Sequence, residues 1–222
     1  MSHLLNDKFI NDLKNGQLTP LLDYIKHDNT LDLQIREQYI NIYYLGGNIL
    51  KVSEKKNLYD FYFDYKYISS SSVKKDVIDG YKKSQDWNSY FPVAKQAMDF
   101  YFTKHKKEER EFQQLIVREN NYTSIANSTD YFVIDIEYDT QSNARFDIIA
   151  VEWPSESSIR KLSKGYRPKL CVMELKYGDD ALGGGSGMLK HWNDFKKFST
   201  SPSVSEFKSE MIDLFNQKRA LG

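Results

Sequence analysis

At 222 residues, with 40% apolar and 28% charged side chains, the chain can bury one good-sized core or two small ones, and global disorder does not fit it. Its 31 basic residues balance 31 acidic ones, so no chain-wide cationic field advertises nucleic acid. A single cysteine, Cys171, excludes an internal disulfide, no Cys/His cluster has zinc spacing, and no run approaches the roughly 18 apolar residues of a membrane span.

The first residues, MSHLLNDKFINDLKNG, lack the apolar stretch of a signal peptide, so a cytoplasmic, reducing compartment without a membrane is expected. Residues 4–26 read as one or two short helices broken near NGQLTP, where Gly16 and Pro20 punctuate the pattern. From Leu31 the apolar period changes to two. LDLQIR, YINIYYLGGNILKV and LYDFYFDYKYI predict an antiparallel meander over 31–68, with a hairpin turn at Gly46-Gly47. SSSSVKK at 69–75 reads as a linker, followed by a weakly patterned Ser/Lys-rich stretch to about residue 89.

From Pro92 to Glu119 the pattern is that of a long helix, closed by the polar loop NNYTSIANSTD. Three strands follow, YFVIDIEYD (131–139), RFDIIAVEW (145–153) and KLCVMELKY (169–177), then two helices, GMLKHWNDFKKF and VSEFKSEMIDLFNQKRALG. The expected class is α+β: a module of helix plus β-meander over residues 1–75, and a second domain over 90–222. Basic clusters at Lys74, Lys75, Lys82 and Lys83, at Lys104, Lys106 and Lys107, and at Arg160, Lys161, Lys164, Arg167 and Lys169 are either local phosphate contacts or solvated surface.

Counting through the hairpins gives the three strands a register. The short DTQSNA connection sets Asp147 opposite about Glu137. If Trp153 and Pro168 close the next connection, opposed positions sum to 321, and Asp147 faces Glu174. Directly opposed Cβ atoms stand about 4.5–5.5 Å apart, where two unshielded carboxylates repel. A divalent cation with hard oxygen ligands, Mg²⁺ or Mn²⁺, would resolve that conflict. Lys176, about 6–7 Å along the same face, can hold a phosphate or a water nucleophile. A surface Glu and Lys ending an amphipathic strand is the alternative. Asp147, flanked by Phe146, Ile148 and Ile149, argues against it, because a lone acid in a core strand needs a reason.

Strand-Asp followed by strand-Glu-x-Lys, behind a long helix and before another, resembles the PD-(D/E)xK nuclease superfamily over roughly residues 92–200. RFD ends at Asp147, and ELK spans Glu174 to Lys176. The resemblance implies a restriction-endonuclease-like helix-strand-strand-strand-helix core. It implies Asp147, Glu174 and the Leu175 carbonyl as metal ligands, and Lys176 as the group that positions water and stabilises charge on phosphate. Phe146 stands where the idealised motif has proline. No fourth strand is readable after the helix near Gly187, which fits either a trimmed edge or a chain continuing past Gly222.

Many members also carry an acid on the first core helix. Running back about 20 Å at 1.5 Å per residue reaches about residue 107 and points to Glu108, with Glu111 and Glu119 as alternatives. In DIEY, Glu137 either joins the metal or pairs with a basic neighbour. The glycines of GDDALGGGSG allow a sharp turn and close approach to a ligand, or form a flexible connector. His191 sits where some relatives carry a polar active-site residue; otherwise it is a surface histidine. The expected activity is metal-dependent hydrolysis of DNA or RNA phosphodiesters, with a homodimer or protein partner engaged through the N-terminal module. The rivals are a non-catalytic nucleic-acid or protein binding module on the same scaffold, and an unrelated α+β protein in which Asp and ELK coincide.

Overall fold

The computed structural model describes residues 3–56, 58–140, 145–162, 167–178 and 187–222. The chain divides into two compact units, residues 2–114 with 220–222, and residues 115–219. It is a mixed α+β protein with two antiparallel sheets and helices.

In the N-terminal unit, the punctuated first segment forms α1 (Asp7–Asn15) and α2 (Thr19–His27). The Asn6 side chain caps α1 by accepting from the Phe9 N–H at 2.8 Å. The period-two region folds as β1 (Asp32–Arg36), β2 (Tyr39–Tyr44), β3 (Gly47–Lys55) and β4 (Leu58–Tyr62), an antiparallel meander in sequence order. The β2–β3 turn lies one residue earlier than the Gly46-Gly47 expectation. Tyr44 pairs with Gly47, and Leu45 and Gly46 turn the chain with φ of 46° and 73°. Gly47 serves packing instead: a Cβ there would stand 2.7 Å from Met98 Cε, Phe102 Cζ and the Tyr67 hydroxyl.

The serine-rich stretch expected as a linker lies within this unit. Its first serines end a 3-10 turn (Tyr65–Ser70), and the weakly patterned stretch beyond forms α3 (Lys75–Ser84). Periodicity missed α3 because its buried positions are one isoleucine, Ile78, and a lysine, Lys82, whose Nζ donates to the Tyr65 hydroxyl at 2.9 Å.

The single long helix of the sequence reading is two: α4 (Trp87–Phe102), capped by Asp86, and α5 (Glu108–Asn121). The charge order TKHKKEEREF accounts for the break, since cations favour a helix C-terminus and acids an N-terminus. Helix α4 buries Trp87, Tyr90, Phe91, Ala94, Ala97 and Met98 at helical spacing, and the Tyr90 hydroxyl donates to the Ile49 carbonyl at 2.6 Å.

The C-terminal unit is built on β5 (Tyr131–Asp139), β6 (Arg145–Glu152) and β7 (Leu170–Met173), an antiparallel sheet in that order. A short helix α6 (Ser157–Leu162) lies in the connection read as loop, and α7 (Met188–Ser199) and α8 (Ser203–Leu221) follow the sheet as expected. One face buries Val133, Ile136, Ile148 and Ala150 under Ile116 and Val117 of α5. Aromatic pairs fill the other: Phe146 with Phe198 at 5.1 Å, and Tyr138 with Phe207 and Phe132 with Phe215 at 5.3 Å. A sheet covered on both faces explains why β5 and β6 read as nearly continuous apolar runs rather than alternating ones.

The regular alternation fails twice along β5. A bulge lies between Val133 and Asp135, and there the Asn121 side chain accepts from the Val133 N–H and donates to the Val133 carbonyl, both at 2.9 Å. The second break is at Glu137, whose φ is 53°: Ile136 faces α5, while Tyr138 faces α8. The same change of side separates Ile148 from Phe146 on β6. Asp147 stands at that level.

Candidate active site

The β6–β7 register realises the sequence count. Ile148 pairs with Met173 and Ile149 with Val172, each pair summing to 321, and the next step brings Asp147 to Glu174. The strand itself ends at Met173, so Glu174, Leu175 and Lys176 lie just beyond it rather than within the expected 169–177 strand. The ladder stops there because the Leu175 N–H takes a side-chain acceptor: it donates to Asp147 Oδ2 at 2.9 Å. Asp147 is buried, and this bond fixes its carboxylate against the segment that follows β7.

Glu174 is the centre of the cluster. Its Oε1 stands 2.5 Å from Lys176 Nζ and 3.1 Å from His191 Nδ1, with the glutamate and lysine side chains only 20% and 13% exposed. Oε1 is buried against both of these neighbours. Burial pushes the Glu174 carboxyl above its ordinary range. Lys176 pulls it down, and the Asp147 charge adds to the rise. Thus the structure brings together Asp147, Glu174, Leu175, Lys176 and His191, contributed by β6, the segment after β7, and the first turn of α7.

Of the other expected acids, two belong to the N-terminal unit and two are engaged by basic neighbours in the C-terminal unit. Glu108 begins α5 within the N-terminal unit, half-buried and 3.7 Å from Lys106 Nζ. Glu111 also belongs to that unit, and Glu119 is engaged by Arg118 Nε and the Thr123 hydroxyl, both at 3.1 Å. Glu137, opposite Asp147 by register, is turned to Arg145 by its left-handed backbone, so the salt-bridge alternative is the one realised. The glycine run 183–185 lies outside the described residues.

The donor set suits a hard divalent cation in part. Mg²⁺ commonly takes one or two carboxylates and keeps several waters, a side-chain share that Asp147 and Glu174 would match. Lys176 Nζ meanwhile supplies the positive charge that the two carboxylates require. Among the described residues no group of three His, Cys, Asp or Glu side chains could hold a metal ion.

Sequence reasoning gave no part to Trp192, which follows His191 and is 61% exposed. Its signal was available in the KHW triplet, since a tryptophan beside a candidate active-site histidine is a large apolar group with little core to enter on that side. Among the described residues no helix is long and apolar enough to cross a membrane. No family model, curated protein or solved structure matches the chain.

Proposed function

We propose that the C-terminal unit is a restriction-endonuclease-like core of the PD-(D/E)xK type and hydrolyses phosphodiester bonds of nucleic acid with Mg²⁺ or Mn²⁺. The observation that carries this reading is the register in which Ile148 pairs with Met173, which sets Asp147 beside Glu174 with Lys176 and His191 converging on Glu174 Oε1. The order α5, β5, β6, β7, α7 supports it as the helix-strand-strand-strand-helix order of such cores, with the short α6 added in the β6–β7 connection.

Asp147 and Glu174 would hold the ion, whose contribution when bound is charge on a phosphoryl oxygen and a more acidic water. Lys176 orients that water and offsets the charge that grows on the phosphate oxygens. Glu174 fixes the ring of His191 through Nδ1. Water adds to phosphorus and loses a proton to solvent, one ester P–O bond breaks, and the departing oxygen is protonated. Purified protein with Mg²⁺ or Mn²⁺ is expected to cut at least one of single- and double-stranded DNA and RNA, and Asp147→Asn to abolish cutting. An intact panel under all conditions removes the proposal.

A second reading, a non-catalytic binding module on the same scaffold, draws on the ammonium of Lys176 already sitting at Glu174. Calorimetric titration with Mn²⁺ separates the two. Binding that Asp147→Asn abolishes supports the nuclease, whereas identical traces from wild type and variant support the module.

A further inference from the structure

Helix α7 carries His191 into the site on one side and leaves an unusual surface beside it. Phe198 is buried and Phe195 partly so, but Trp192 is 61% exposed. The indole is not loosely placed. Its ring centroid lies 6.1 Å from Phe195, and Phe195 lies 6.4 Å from Phe146, the neighbour of Asp147 in β6. A continuous aromatic path therefore runs from the site's own strand to an exposed ring. On the same helix Lys190, Lys196 and Lys197 are exposed, against one acid, Asp194. Lys196, four residues after Trp192, shares its flank.

An exposed, anchored aromatic ring, with the exposed apolar side chains of Met188 and Leu189 one turn before it and Lys196 one turn after, suits a flat base on a polyanionic backbone. Aromatic rings stack on bases of any sequence when the base face is unpaired, and lysines track the phosphates. Inside a duplex those faces are already occupied by neighbouring bases. The apolar ring excludes a purely electrostatic partner, and the lysines disfavour a cationic one.

We propose that α7 is a stacking platform for single-stranded nucleic acid, with Trp192 receiving an unpaired base and Lys196 a neighbouring phosphate. The proposal rests on the nuclease reading only in taking the strand past Glu174 and Lys176; binding to the platform needs no metal.

The test is fluorescence anisotropy in EDTA with labelled oligothymidylate, oligouridylate and a DNA duplex, on wild-type protein, Trp192→Ala and Trp192→Phe. Thermal melts verify that each variant is folded. Wild type is expected to bind one or both single strands more tightly than duplex. Trp192→Ala should weaken single-strand binding about tenfold or more without changing duplex binding, and Trp192→Phe should restore most of the loss. The two single strands tell DNA from RNA. Equal single-strand binding by wild type and Trp192→Ala overturns the proposal. A duplex preference does so too, as does a complete lack of nucleic-acid binding, which would assign the patch to a protein partner. If strands bind through Trp192 but Mg²⁺ gives no cleavage, the nuclease reading fails and the platform stands. If Mg²⁺ gives cleavage and Trp192→Ala binds like wild type, the platform fails and the nuclease reading stands.

Discussion

The Leu175 N–H donates to Asp147 Oδ2 at 2.9 Å, so the carboxylate on β6 terminates the ladder that the strand itself builds with β7. This side chain thereby holds the segment that carries Glu174 and Lys176. Asp147→Ala should cost about 1–3 kcal/mol through the orphaned N–H. Asp147→Asn, which keeps an acceptor and removes a charge beside Glu174, should cost less. Urea unfolding of both variants checks the order, and equal destabilisation would deny the bond its structural part.

A second side chain acts on the backbone of β5 in the same way. Asn121, the last residue of α5, satisfies both the N–H and the carbonyl of Val133 at the bulge. Asn121→Ala strips both partners from a buried residue, and a loss of about 2 kcal/mol or more is expected in urea melts. Hydrogen exchange at Val133 should speed up while that at Ile148 changes less.

Gly46 makes a prediction of the opposite kind, an added methyl. Its φ of 73° lies in the left-handed region, and a Cβ there would stand 2.9 Å from Arg110 Cβ and 3.0 Å from the Glu111 backbone nitrogen. Backbone cannot step aside as a side-chain tip can, so Gly46→Ala should lower stability by about 1–3 kcal/mol. A melting temperature equal to wild type would contradict the close approach.

Acid should weaken the N-terminal unit through Asp28. Burial alone would raise its pKa, but hydrogen bonds from Lys95 and Thr30 and the lysine charge outweigh burial and lower it. A carboxyl lowered on folding stabilises above its unfolded value, near about 3.9, and that contribution vanishes as pH falls through the lower folded value. Asp28→Asn should therefore be less stable than wild type at pH 7, with the gap closing below about pH 4. Urea midpoints across that range give the measurement, and a gap independent of pH would contradict the sign.

Much of the site was legible because strand register follows simple arithmetic. Once RFDIIAVEW and KLCVMELKY are joined antiparallel, the sum of 321 follows from loop closure alone, and the pairs Ile148–Met173 and Ile149–Val172 obey it. The meander was equally readable, since its aromatic and β-branched residues alternate. Legibility failed where the backbone departs from regularity. A left-handed Glu137 and a bulge after Val133 change which side chains share a face, and neither leaves a glycine or proline to mark it. Helix α3 was hidden because a lysine stem does apolar work, and the α4–α5 break because only charge order announces it. The approach of His191 to Glu174 depends on tertiary path, which no count along the chain supplies.

The most direct measurement is single-turnover cleavage by Lys176→Ala beside its Mn²⁺ affinity. Lys176 Nζ stands 2.5 Å from Glu174 Oε1, so under the proposed nuclease reading the ammonium would compete with a cation in the resting protein and serve the phosphate during reaction. Lys176→Ala is expected to bind Mn²⁺ at least as tightly as wild type while cleavage slows by about a hundredfold or more. Cleavage at the wild-type rate would contradict that reading.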